Sequence, residues 1–476
     1  MNSMRKITRK PCHMNFSKSC LVLAISQAIA PTVLAANIVV DTSGDISTND
    51  SICTLREAIE SANSNPGNSE NGCVSGDSEL VDSIGFDLSV FPITSPNNSI
   101  ALNSSLPTVS ESATITGQGI GGLTIDAQSS GSVILVSNAT VSLNSLNITG
   151  GNANSGGGIL VSSGSVTLSN SSVSGNSASN FGGGIRVVSG HVNLNNSTVS
   201  GNHASSGGGG LMSSGSGSFA LSNSTVTGNS SSHSGGGIYA HSINVFFSLS
   251  NSTVSGNSAA NRSGGIHVFA GASVNLSNST VSNNSAGSLG GGVFSNSSSI
   301  TLINSTVTGN SAATGGGISS FTSDVSMTNN IIAGNFAEVG AEINDYDGTT
   351  AFTQHNNLFG SSNHTNAAAF ANFTPNTTAI TGTSNGTHRR NISATLSPLA
   401  DNGGATLTHA LPDDSLAIDA GDTAICESEP ISSLDQRGEI RPAGEACDIG
   451  SYEGGQKTEP FFTVPLSDGK AVIFSL

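Results

Sequence analysis

One phrase returns through the middle of the chain at a nearly constant interval, and it limits the possible folds more than any other feature. In its clearest form it reads Asn196-Ser-Thr-Val-Ser-Gly-Asn202, then a short variable stretch, then Gly208-Gly-Gly-Leu211 and an alternating segment. Its valine slot is filled by Ile148, Val173, Val199, Val226, Val254, Val281, Val307 and Ile332, at steps of 25, 26, 27, 28, 27, 26 and 25 residues. So steady a period marks a solenoid, in which each unit buries its apolar side only against its neighbours. The 59 glycines, the absence of Trp and the 9% charged content would also suit a disordered Ser/Asn/Gly tract. The aliphatic residues keep register with the repeat, however, which a disordered tract has no reason to do.

Each unit holds three short alternating segments. The first follows the glycines (Ile185-Arg-Val-Val188), the second is Val192-Asn-Leu194, and the third carries the valine slot in Ser197-Thr-Val-Ser200. Three strands in about 26 residues make an all-β parallel β-helix, each coil adding one strand spacing of roughly 4.8 Å. Alternation along a strand assigns inside and outside. Pairs such as Ile185/Val187, Leu211/Ser213 and Ile238/Ala240 point inward from the first strand, and Val192/Leu194, Phe219/Leu221 and Phe247/Leu249 from the second. Burial of four or five aliphatics does not outweigh the backbone entropy of a whole coil, so hydrogen bonds between coils must contribute. A row of asparagines (Asn152, Asn176, Asn202, Asn229, Asn257, Asn284, Asn310, Asn335) suits that need, because stacked amides can bond to one another. The Gly-Gly-Gly run opens a strand rather than a helix, so phosphate cradling is not expected of it. The Asn-x-Ser/Thr triplets follow the repeat period and are read as structural rather than as glycosylation sites.

The ends differ from the middle. Five basic residues, an apolar run over 21–34 and Val33-Leu34-Ala35 form a secretory signal over residues 1–36, with Met14 an alternative start. Its removal takes the formal charge from −17 to −22, which argues against nucleic acid or anionic lipid as a partner. No stretch is long and apolar enough for a spanning helix. The cysteines outside the signal form two local pairs, Cys53/Cys73 and Cys426/Cys447. In an exported chain two disulfides are expected, with other pairings open. The remaining sequence divides into an N-terminal cap (37–100), repeats (101–345), C-terminal coils and module (346–455) and a tail (456–476) with a hairpin around Ser467-Asp-Gly469. Cys53-Thr-Leu-Arg-Glu-Ala-Ile-Glu-Ser-Ala-Asn63 has helical spacing and would end at Asn65-Pro66-Gly67. A helix there would close the open end of the first coil.

Three stretches carry a resemblance. Cys53-Thr-Leu-Arg-Glu-Ala-Ile, with Ala62-Asn63, resembles the N-terminal motif of the CSLREA-domain family, Thr54 standing where Ser is usual. The phrase with Gly-Gly-Gly-Ile resembles the repeats of polymorphic outer-membrane proteins. Ser397-Pro-Leu-Ala-Asp-Asn-Gly-Gly404, Asp435-Gln-Arg-Gly438 and Cys447-Asp-Ile-Gly-Ser-Tyr-Glu453 resemble the choice-of-anchor Q module. The resemblance implies a bacterial secreted or surface protein with a right-handed, pectin-lyase-like β-helix. It implies no particular activity.

Candidate chemistry is sparse. The register defines an outward row of Leu160, Arg186, Met212, Tyr239, His267, Phe294 and Ser319, and a second that includes His241 and Phe269. Arg186, Tyr239, His241, His267, Phe269 and Phe294 are the candidate binding residues. A lyase would need a base beside a neutralised uronate, and Tyr239, His241, Arg262 and His267 are the best cluster for it. No cofactor is expected. Asp419, Asp422 and Asp448 could take Ca²⁺, although pairing with Arg437 or Arg441 is the preferred role. The third strand offers another outward array, Thr198/Ser200, Thr225/Thr227, Thr253/Ser255, Thr280/Ser282 and Thr306/Thr308, similar to that of β-helical ice-binding proteins. The first expectation is thus a monomeric, non-catalytic extracellular or outer-surface protein that contacts host, matrix or polysaccharide ligands. A polysaccharide lyase or hydrolase is the alternative, and ice binding a second.

Overall fold

A computed structural model describes residues 35–48, 50–64, 72–77, 80–119, 121–455, 462–465 and 471–474. The proposed signal and the Asn65-Pro66-Gly67 stop lie outside these residues. The body is an all-β, right-handed parallel β-helix of about 11 turns. The first and second strands of successive coils stack into one long sheet, and the valine strands into another. In two coils the first and second strands run together, as Ile185–Asn195 and Leu211–Ser222. The three-strand reading omitted one element. Two-residue strands such as His203–Ala204, Ser230–Ser231 and Ser258–Ala259 form a further sheet in the stretch before the glycines.

The inward assignments hold. Every valine-slot residue is fully buried, as are Ile185/Val187, Leu211/Ser213, Ile238/Ala240 and their second-strand counterparts. The repeat phrase can be read one residue at a time. Its opening asparagines, Asn170, Asn196, Asn223, Asn251, Asn278 and Asn304, all turn the chain at φ between 44° and 51°. Asn tolerates this left-handed region better than other residues with a side chain. The next serine bonds upward: Ser171 N donates to Ser197 Oγ at 3.2 Å and Ser197 N to Ser224 Oγ at 3.1 Å. The closing asparagine forms the amide ladder. Asn202 Nδ2 donates to Asn229 Oδ1 at 2.9 Å and to Val173 O at 2.9 Å, while Asn202 Oδ1 accepts from Asn176 N and Nδ2 at 2.9 and 3.0 Å. Asn152 does not belong to this ladder. It is exposed and Gly151 takes its place, donating its N–H to Asn176 Oδ1 at 2.9 Å. The other end stops at a carboxylate, with Glu342 accepting from Gly334 N, Asn335 N and Asn335 Nδ2 at 2.9, 3.1 and 2.7 Å.

The glycine run is equally specific. Gly208 sits at φ 63°, and a Cβ on Gly209 would lie 2.2 Å from Ser230 O in the next coil.

The parallel ladder starts before the repeat does. Asn37–Val40 pairs with Asp82–Phe86, which pairs with Ala113–Thr116. Helix α1 (Leu55–Asn63) closes this end with Leu55, Ala58, Ile59 and Ala62 buried. Thr54 and Glu57 form its capping box, Thr54 N donating to Glu57 Oε2 at 3.0 Å and Glu57 N to Thr54 Oγ1 at 3.2 Å. Arg56 ties the helix to the Asp45 carboxylate and the Ser104 and Ser105 carbonyls. Phe352, Phe359, Phe370 and Phe373 close the opposite end, with ring centroids 4.9 to 6.1 Å apart. Both expected disulfides, Cys53–Cys73 and Cys426–Cys447, are formed. In the tail Phe462–Pro465 pairs antiparallel with Ala471–Phe474, and the turn between them lies outside the described residues.

Candidate functional site

The first strands place Arg186, Met212, Tyr239, His267, Phe294 and Ser319 in direct register on successive coils. His241 pairs with Phe269 two positions on. Because neighbouring strands lie roughly 4.8 Å apart, flat side chains in register stack. The Tyr239 and His267 rings are 4.7 Å apart at 8°, and those of His241 and Phe269 5.2 Å apart at 20°. Phe294 continues the first stack at 5.2 Å from His267. The candidate binding residues therefore come together as one patch of rings. Two cations stand at its edges: the Arg186 guanidinium is 5.4 Å from the Phe181 ring centre, and that of Arg262 is 5.7 Å from Phe294.

The outward row is less exposed than strand alternation predicts. Met212, His267, Phe294 and Ser319 are buried, while Arg186, Tyr239, His241, Phe269 and Arg262 are half-buried. The turn entering the strand, with glycine at its left-handed position on most coils and Ser263 before His267, folds back over it where glycine is present. A Cβ on Gly208 would lie 2.7 Å from Met212 Cβ, and one on Gly290 2.7 Å from Phe294 Cβ. His267 is therefore corrected as a catalytic candidate. The residue is 2% exposed, and burial with nearby Arg262 pushes its pKa down to about 3. A base so weak and so enclosed does not serve proton abstraction near neutral pH.

The accessible part of the patch centres on Tyr239. A hollow of about 250 Å³ is lined by Phe181, Arg186, Met212, Ser214, Tyr239 and His241. A wider depression of about 410 Å³ lies beside it, between Phe181, Ser205, Ser206, Ser232, His233 and Tyr239. None of these lining residues is a carboxylate. Phe181 escaped the sequence reading because it precedes the glycines, in the stretch read as variable. Parallel bridges align it with Gly207, Ser234 and Arg262 on the following coils. A large ring where the next two coils have small residues was the available signal. A Cβ on Gly207 would lie 2.5 Å from Tyr239 Cδ1, so that glycine leaves room for the tyrosine ring.

The other candidates take structural roles. Residues of the C-terminal module lie across the third-strand array, and three of its five pairs are removed from solvent. Thr253 Oγ1 donates to Leu407 O and Thr280 Oγ1 to Gln436 Oε1, both at 2.7 Å. Ser282 meets His409 Nε2 at 2.8 Å, and Ser451 N donates to Thr306 Oγ1 at 3.1 Å. Thr253, Thr280 and Thr306 are fully buried, so the flat ice-facing array is corrected to an internal contact on these coils. The acids are also placed differently. Asp448 accepts from Asp419 N at 2.8 Å, and Asp422 pairs with His355 at 2.9 Å. Arg437 and Arg441 pair instead with Asp435 at 2.7 Å and Glu453 at 3.5 Å. Among the described residues no group of three or more His, Cys, Asp or Glu is arranged to hold a metal ion.

Comparison with known proteins bears on the fold. No curated protein matches the chain. The crystal structure of pectate lyase Pel9A is similar at a TM-score of 0.45 and 14% identity, over 82% of this chain and 95% of that one. Residues 131–290, which carry the ring patch except Phe294 and most of the amide ladder, match the family model described as a right handed beta helix region.

Proposed function

We propose that this chain is an exported β-helix rod that binds a glycan or matrix surface through its ring patch, without catalysis. The carrying observation is the half-exposed cluster of Phe181, Tyr239, His241 and Phe269 beside two cations, around hollows lined by no carboxylate. Sugar rings present apolar C–H faces that pack on aromatic faces, and a few polar groups then set their orientation. The apolar run at 21–34 and the two disulfides support export into an oxidising compartment. Proton abstraction would fall to Tyr239 or His241, with no acidic partner among the residues lining the hollow.

The test is a glycan-array screen of the chain lacking residues 1–36, compared with Tyr239→Ala. Removing a stacked ring is expected to weaken binding about tenfold or more. The same samples are followed for ultraviolet absorbance of unsaturated uronate. A signal abolished by His241→Ala would replace the binding reading with a lyase, and wild-type inertness toward every glycan would end both.

A further inference from the structure

We propose that the hollow bordered by Phe181, Arg186 and Tyr239 seats a single anionic sugar unit, its carboxylate or sulfate on Arg186 and its ring face against Tyr239. The proposal rests on the glycan-binding reading above and names its ligand class.

The first argument is an unpaired cation. Arg186 Nη1 donates to Ser155 Oγ at 2.5 Å, but its Nε is buried with no hydrogen-bond partner. Three other arginines held against the fold have carboxylates, Arg56 with Asp45, Arg437 with Asp435 and Arg441 with Glu453, whereas Arg186, like Arg262 at the far edge of the patch, has none. Removing a charge from water without a counter-charge is costly. The chain has 31 acids against 14 basic residues, so acids are not scarce, yet none of the ion pairs among the described residues involves Arg186. An incoming anion would supply the counter-charge that the fold omits, and a guanidinium bonds carboxylate and sulfate oxygens alike.

The second argument is shape. At about 250 Å³ the hollow lies below the roughly 300–1,000 Å³ of drug-sized pockets, which suits one sugar ring better than an extended chain. Phe181 and Tyr239 wall it, with ring centres 6.5 Å apart. Tyr239 is held from behind by the His267 stack, so its orientation is set before a ligand arrives. Ser214 and His241 stand at the rim with groups able to meet sugar hydroxyls.

The experiment is calorimetric titration of the chain lacking residues 1–36 with four probes: a neutral hexose oligosaccharide, a hexuronate oligosaccharide, its carboxyl-reduced form and a sulfated hexose oligosaccharide. At least one charged probe is expected to bind about tenfold or more tighter than the neutral and reduced probes. Arg186→Met should abolish that preference. Arg186→Lys, which keeps the charge, should retain part of it, and a thermal melt of both variants checks the fold. Acidic and reduced probes binding equally, or Arg186→Met keeping the wild-type preference, would overturn the inference and leave glycan binding standing. Failure of all four probes together with an inert glycan array would remove both.

Discussion

Thr198 and Thr280 hold the same place in the same phrase, one position before the valine slot, yet the molecule uses them differently. Thr198 is half-buried on an open sheet. Thr280 is fully enclosed, bonded to Gln436 and Ser451 of the C-terminal module. Inside the helix the two coils are the same. Val199 and Val281 are both fully buried, and Asn202 and Asn284 each make two donated and two accepted bonds of 2.9 to 3.0 Å. The difference teaches that the repeat specifies its interior coil by coil. What covers the outside depends on a segment more than 100 residues away.

The largest test of that equivalence is truncation of the ladder. Asn202→Ala and Asn284→Ala each strand buried donors and acceptors, at about 1–3 kcal/mol per group. Each should therefore lower unfolding free energy by about 3–5 kcal/mol in urea melts. A clear inequality between them would show that the module also supports the interior. A second test uses pH to separate the open half from the covered end. The ladder ends on Glu342, whose burial raises its pKa to about 7 from 4.5. The folded chain then holds a proton that the unfolded chain has lost, so stability falls as pH rises from about 4.5 to 7. The loss is roughly 3 kcal/mol for this group. Urea melts at both ends of that range should show it, and Glu342→Gln should flatten the slope. Glu453 is likewise raised to about 7, by burial and Asp448, so part of the slope should survive in that variant. The smallest effects come from the outer face itself. Thr280→Ala leaves Gln436 Oε1 without its 2.7 Å donor and should cost about 1–2 kcal/mol. Thr198→Ala should stay within about 0.5 kcal/mol. Equal losses in parallel melts would mean that the module's contacts contribute nothing to stability.

Much of the fold was legible because strand periodicity and burial share one cause. A slot that repeats every 25–28 residues on a two-residue alternation can only stack aliphatic on aliphatic, so the inward residues follow from register. The ring patch was legible for the same reason: Tyr239 and His267 sit one repeat apart and so lie one strand spacing apart. Depth was not legible. Register says that His267 points out of the sheet, but the rings of Tyr239, Phe269 and Phe294 enclose it. Phe181 was missed because it ends a strand, Ser177–Phe181, whose register slips against its neighbour and which shows no apolar alternation.

The sequence by itself determined the coil: its length, its inward aliphatics and the asparagine row that forms most of the amide ladder. These depend on contacts between a residue and its equivalent in the next repeat, and a period records such contacts directly. Only the tertiary structure decided which outward residues meet solvent. The C-terminal module covers Thr253, Thr280 and Thr306, the neighbouring rings enclose His267, a glycine turn covers Phe294, and Gly207 opens space for Tyr239 beside Arg186. Those outcomes depend on contacts between unlike segments, which no repeat encodes.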